Sequence, residues 1–247
     1  MDDVVRVSWP TIEPLGESAL LLLLGDRIDI DVNRRVHALA ARLQTQRPPW
    51  LREIVPAYAS LGLHLDPQAF DIDALDRDSD PLAVAEAWLR GVLKESAEHI
   101  TPAASRMVEI PVHYGGVQGP DLDALAQHAG LSIAEVVERY CAVEYTVAML
   151  GFAPGFPYLL GLDPALQMPR LATPRVKVPA GSVAIGGQQT GIYPREGPGG
   201  WRIIGHTELM LFDATCESPS LLQPGDRVRF IATDAVASNV VERIARA

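Results

Sequence analysis

Between Gly151 and Thr207 the chain meets a glycine or a proline every few residues, and only short β-prone runs fit between them. Proline fixes φ and removes a backbone donor, whereas glycine reaches geometries closed to other residues. A chain that needs both so often builds rigid loops of specified shape, and a long helix cannot survive there. The rhythm therefore predicts a barrel or closed sheet with functional loops. Four clusters carry it: residues 151–158 (GFAPGFPY), 173–182 (TPRVKVPAGS), 186–194 (GGQQTGIYP) and 197–201 (GPGGW).

The chain ahead of this stretch has a different character. Ser18 to Leu24 is an apolar strand, and Asp31 to Gln46 repeats apolar residues at helical spacing until Pro48-Pro49. Glu53 to Tyr58 and Ser60 to Leu65 read as paired strands, and Pro81 to Glu98 as a helix with proline in its first turn. The order β-α-β-β-α predicts a small ferredoxin-like unit, with helices on one face of a sheet. A boundary falls near His99 to Ser105, giving an N-terminal α/β domain over 1–100 and a β-barrel domain over 106–247. Within the second, Met107 to Tyr114 alternates as a strand, and Asp121 to His128 is a short helix. Ser132 with Glu135 is a capping box opening another helix. The strand Arg227 to Ile231 precedes a tail, Ala232 to Ala247, with helical character. The fold class is α+β.

Composition excludes several functions. The formal charge is −10, from 21 Lys+Arg against 31 Asp+Glu, with no cluster of basic residues that a nucleic acid would need. The acidic run from Asp66 to Asp80 lacks the glycine-punctuated order of a calcium loop and reads as a solvated loop. No apolar run approaches the roughly 20 residues that cross a bilayer, and two cysteines make no disulfide framework. The chain reads as cytoplasmic. Neither a P-loop nor a His-Glu-x-x-His, Cys-x-x-Cys or Gly-x-Ser-x-Gly run occurs, so neither bound ATP nor a metal is expected of this chain.

The candidate site lies in the four clusters. Phe152, Pro154, Phe156, Tyr158 and Trp201 supply apolar walls, and Lys177, Ser182, Thr190 and Tyr193 supply polar contacts to a small ligand. Arg175, Gln189 and His206 are the candidates for catalysis in the same loops. Each aromatic taken singly also reads as core, and each glycine as a turn. Their density together argues for a site.

These segments resemble one known family. The motifs GFAPGFPYLLGLDP (151–164), TPRVKVPAGSVAIGGQQTGIYP (173–194) and PGGWRIIGHT (198–207), with PLGESALLL (14–22), VNRRVHALA (32–40), PAYASLGLHLDP (56–67) and GPDLDALA (119–126), are similar to those of the B subunit of 5-oxoprolinase, a family also called allophanate hydrolase subunit 1 or KipI. The resemblance implies an N-terminal α/β domain and a C-terminal cyclophilin-like β-barrel. It also implies two partners, a homologous second subunit of the C type and a third of the A type, in a complex that uses ATP to open 5-oxoproline to glutamate. It leaves two other activities open: inhibition of a histidine kinase, and a carboxyltransferase role beside biotin. This chain departs from the family pattern at Tyr140 (usually His), at Gly197 (usually Ser) and at His206-Thr207-Glu208 (usually Arg-Thr-Pro).

Overall fold

The computed structural model describes residues 10–70, 80–96 and 105–233. The chain divides into two compact units, Met1–Ala104 and Ser105–Ala247.

In the first unit β1 (Thr11–Pro14) and β2 (Ala19–Leu23) form a hairpin, followed by helix α1 (Ile30–Thr45), strands β3 (Leu51–Pro56) and β4 (Ser60–Leu65), and helix α2 (Pro81–Ser96). The sheet order is β1-β2-β4-β3, antiparallel throughout. Strands β2 and β3 both run against β4 and are therefore parallel to each other, joined through α1 as a split β-α-β unit. That is the expected ferredoxin-like packing, with one addition. Strand β1 lies on the edge beside β2, and its Thr-Ile-Glu-Pro sequence offers too little alternation to announce it.

One apolar face supports the sheet. Leu20 and Leu22 of β2 and Leu61 and Leu63 of β4 are buried with Val36, Leu39 and Leu43 of α1 and with Ala85 and Leu89 of α2. Helix α1 begins at Asp29, whose carboxylate accepts from the backbone N–H groups of Asp31 and Val32. Asn33, wholly buried, donates to the carbonyls of Ala57 and Tyr58 and so ties α1 to the β3–β4 turn.

The second unit holds β5 (Met107–Tyr114), α3 (Leu122–Ala129), α4 (Ile133–Ala142), β6 (Tyr145–Leu150), β7 (Pro157–Leu160), β8 (Arg175–Val178), β9 (Ser182–Gly186), β10 (Gln189–Ile192), β11 (Gly197–Gly199), β12 (Arg202–His206) and β13 (Arg227–Ala232). Seven of these strands close a barrel in the order β10-β7-β6-β13-β5-β12-β9, as the glycine and proline rhythm predicts. Strands β8 and β11 form a separate two-stranded ribbon. The pair β13–β5 is parallel and the other barrel pairs are antiparallel. Ile110, Val112, Tyr145, Val147, Leu159, Val183, Ile185, Ile204 and Phe230 fill the interior, closed by Val136 and Tyr140 of α4. The Ser132–Glu135 capping box is present at the start of α4. The expected tail helix and most of the boundary and acidic segments fall outside the described residues, apart from Ala232, which belongs to β13.

Candidate functional site

The glycine and proline clusters bring together aromatic rings from separate parts of the barrel unit. Phe156 stands at the centre. Its ring lies 5.3 Å from Phe152, 5.0 Å from Tyr158, 5.2 Å from Tyr193 and 5.5 Å from Trp201, centroid to centroid. Most of these pairs meet edge to face, the arrangement that the ring quadrupoles favour. Two glycines make room for the rings. A Cβ on Gly186 would sit 2.6 Å from the Trp201 indole, and one on Gly199 would sit 2.3 Å from the Tyr193 hydroxyl oxygen. Here glycine is required by close approach.

Between the rings lies a cleft of about 180 Å³, lined by Phe152, Phe156, Tyr158, Arg170, Tyr193 and Trp201, with Leu171, Pro174, Gly199 and Gly200 at its margin. Arg170 stands over the Trp201 ring, 5.6 Å from its centroid, and donates to Gln189 Oε1 at 3.3 Å. Burial pushes the Tyr158 and Tyr193 phenols above their ordinary value, opposed by the Arg170 charge at Tyr158 and, at Tyr193, first by a backbone hydrogen bond at Trp201 and then by Arg170. Both hydroxyls therefore stay protonated at neutral pH and can donate. Phe152, at the mouth, adopts φ of 66° and leaves 65% of its surface exposed. A bulky side chain in the left-handed region is strained, by an amount on the order of 1–2 kcal/mol.

The sequence-predicted residues separate on folding. Phe152, Phe156, Tyr158, Tyr193 and Trp201 line the cleft, and Gln189 reaches it through Arg170. Pro154 is exposed in the same loop. The remainder face other tasks. Arg175 donates to Asp121 Oδ1 at 2.8 Å and to the Trp201 carbonyl at 3.5 Å, while Asp121 Oδ2 accepts from the Ile203 N–H at 2.7 Å. Asp121 is buried and sits at the start of α3 without capping it, because both its oxygens are engaged by β8 and β12. Arg175 thus brackets Trp201 from behind and lies outside the cleft lining. Thr190 is wholly buried, its hydroxyl bonded to Tyr140 at 2.6 Å and to the Ala184 carbonyl at 2.9 Å. Ser182 is buried in β9, and Lys177 pairs with Glu196 at 3.0 Å on the surface. His206 Nε2 lies 2.9 Å from the Ala180 carbonyl and its Nδ1 3.5 Å from Glu208, away from the cleft lining.

Two lining residues escape sequence reasoning. Arg170 and Leu171 stand between the first and second glycine and proline clusters, in a stretch with no cluster of its own. Pro174, Gly199 and Gly200 do fall in the clusters, where they read only as turn residues. Of the departures from the family pattern, Tyr140 lies at the barrel interior, Gly197 opens β11, and His206 lies on β12. Among the described residues no group of three or more His, Cys, Asp or Glu side chains is placed to hold a metal ion, and no helix is long and apolar enough to cross a membrane.

Known proteins share this sequence and architecture. A family model for the carboxyltransferase domain, subdomain C and D, matches residues 10–222. The 5-oxoprolinase B subunit of Escherichia coli O157:H7 is 45% identical over 218 residues, which is 88% of this chain and 93% of that protein. Its counterpart in Bacillus subtilis is 43% identical over 220 residues, 89% of this chain and 91% of that one. A solved structure of the protein TTHA0988 superimposes with a TM-score of 0.72 at 38% identity, covering 88% of this chain. The chain spans 40% of the length of that solved protein.

Proposed function

The chain belongs to the family of carboxyltransferase domains, subdomain C and D, and we propose that within it the chain serves as the B subunit of a 5-oxoprolinase. One observation carries this reading: identity of 45% with a 5-oxoprolinase B subunit runs through nearly the whole of both chains. The match takes in 88% of this chain and 93% of that protein. The relatives' names make them parts of a larger enzyme, and this supports a homologous second subunit of the C type and a third of the A type as partners.

The chemistry explains why one chain would share the work. A lactam carbonyl is a poor electrophile, and ATP overcomes this by transferring its terminal phosphoryl group to the carbonyl oxygen, releasing ADP. Water then adds to the carbon, the ring C–N bond breaks as the nitrogen takes a proton, and a second water cleaves the resulting acyl phosphate to glutamate and phosphate. In this reading the nucleotide sits on a partner, and the chain described here binds no cofactor of its own. The barrel unit contributes a rigid aromatic cleft that shields reacting groups from bulk water. Because Arg175 and Thr190 are held by Asp121 and Tyr140, the reading assigns them to support of the cleft wall and of the barrel.

The family's description favours a second reading, a carboxyltransferase component working with biotin carried by another chain. One experiment separates the two. The three subunits are purified together and 5-oxoproline-dependent ATP hydrolysis is measured with and without this chain. The expected result is loss of activity on omission. Activity that persists without the chain overturns the proposal, and so does a complete complex that ignores 5-oxoproline.

A further inference from the structure

The cleft holds a charge without a counter-charge. Arg175 is answered by Asp121 and Lys177 by Glu196, but Arg170 has no carboxylate partner among the described residues. Its contacts are the Trp201 ring and the neutral Gln189 side chain. Arg170 is itself exposed, so these two contacts place its guanidinium at the rim of the cleft without neutralising it. Among the described residues no acidic side chain lines the cleft. A cation set at the rim of an apolar floor can receive an anion that enters from solvent, and the planar guanidinium matches a carboxylate.

The rest of the lining sets the anion's size and shape. At about 180 Å³ the cleft falls below the roughly 300–1,000 Å³ of sites for drug-sized molecules. It suits a single small ring. Phe152, Phe156, Tyr158 and Trp201 offer ring surface to such a ligand, and the protonated Tyr193 hydroxyl offers a donor to a carbonyl oxygen on it. With one cation in the lining, the charge matched is that of a monoanion rather than a phosphate. The strained backbone at Phe152 places an aromatic edge at the mouth, where it can cover a bound ring.

We propose that this cleft binds a small five-membered ring bearing a carboxylate, with Arg170 as the residue that selects the carboxylate. The proposal rests on the 5-oxoprolinase reading for the natural ligand, 5-oxoproline, and on the cleft alone for the ligand class.

The test is an NMR titration of the full chain that follows the Trp201 indole N–H, identified as the one of four tryptophan signals lost in Trp201→Phe. The probes are 5-oxoproline, 2-pyrrolidone, which keeps the lactam and lacks the carboxylate, and cyclopentanecarboxylate, which keeps the carboxylate and lacks the lactam. Both carboxylates are expected to shift the signal saturably, and 2-pyrrolidone to bind at least about tenfold more weakly. Arg170→Met should abolish that difference, and Arg170→Lys should restore part of it. Equal affinity for 5-oxoproline and 2-pyrrolidone overturns the proposal, as does an Arg170→Met protein with unchanged preference. A Trp201 signal that responds to none of the probes overturns it too. If partner subunits displace the ring competitively, the cleft is a socket for a partner's side chain and the proposal fails. Cyclopentanecarboxylate keeps this outcome separate from the functional reading. Its Arg170-dependent binding would stand even if the assembled complex left 5-oxoproline untouched, and an active complex indifferent to Arg170→Met would sink the cleft alone.

Discussion

Two groups of aromatic residues sit in the barrel unit, and they differ in what they leave unfinished. Inside the barrel, Tyr140, Tyr145 and Phe230 pack with centroids 4.9–5.3 Å apart, and their polar ends are satisfied. Tyr140 bonds to Thr190, and Tyr145 donates to the Tyr140 carbonyl. At the cleft, Phe156 and its neighbours meet at similar distances, but around an open slot with Arg170 on one side. Burial raises the phenol pKa in both groups. Neither ring density nor a raised pKa therefore marks a site here. What sets the cleft apart is the pair of glycines cut away behind its rings and Arg170, which has no carboxylate partner among the described residues.

Alkaline titration should set the two groups apart with the largest effect. Tyr114, Tyr140 and Tyr145 have folded-state pKa values raised above the ordinary 10.0, chiefly by desolvation. Their contribution to stability is complete below pH 10 and lost as the unfolded chain sheds its protons above it. Each such group costs about 1.4 kcal/mol per pH unit once the unfolded tyrosine is ionised. Urea unfolding between pH 9 and 11 should show this steep fall, and Tyr140→Phe should make it shallower. A slope unchanged by that substitution contradicts the buried role of Tyr140.

Asp121→Ala comes next. It strands Arg175 and the Ile203 N–H, and we expect a loss of about 2–3 kcal/mol, less than for a fully buried pair because Arg175 is partly solvated. The Trp201 indole signal should move as well, since Arg175 no longer brackets its backbone. Gly186→Ala should be milder for folding, about 1–3 kcal/mol from overpacking, yet it should displace the Trp201 ring and weaken carboxylate binding. Unaltered binding in a folded Gly186→Ala protein would show that the ring's position does not matter. Phe152→Gly should have the smallest effect on stability. Relief of the left-handed strain, on the order of 1 kcal/mol, offsets lost ring contacts, so the denaturation midpoint should hardly move while ligand affinity drops. A large loss of stability would mean that Phe152 is a packing residue.

What the sequence reveals depends on where each interaction closes. The helices α1, α2 and α4 and strand β5 are readable because their signals, periodicity and caps, are local. The cleft aromatics are readable because glycine and proline clusters announce rigid loops wherever they occur. The partner of Arg175 is hidden in the sequence, because Asp121 lies far away and nothing local reveals an ion pair closed by folding. The partner of Thr190, Tyr140, is hidden for the same reason. Arg170 is invisible too. Nothing local places it against Trp201 and Gln189, and only the assembled cleft brings the three together. Strand β1 escapes notice because an edge strand needs only one good neighbour.

Steady-state kinetics of the reconstituted three-subunit complex, with Arg170→Met and Tyr140→Phe introduced singly, bear on where substrate is recognised. The KM for 5-oxoproline should rise at least about tenfold for Arg170→Met and stay essentially that of the native complex for Tyr140→Phe. The reverse pattern, with KM indifferent to Arg170 and sensitive to the Tyr140 hydroxyl, would place recognition inside the barrel and contradict the assignment of the cleft.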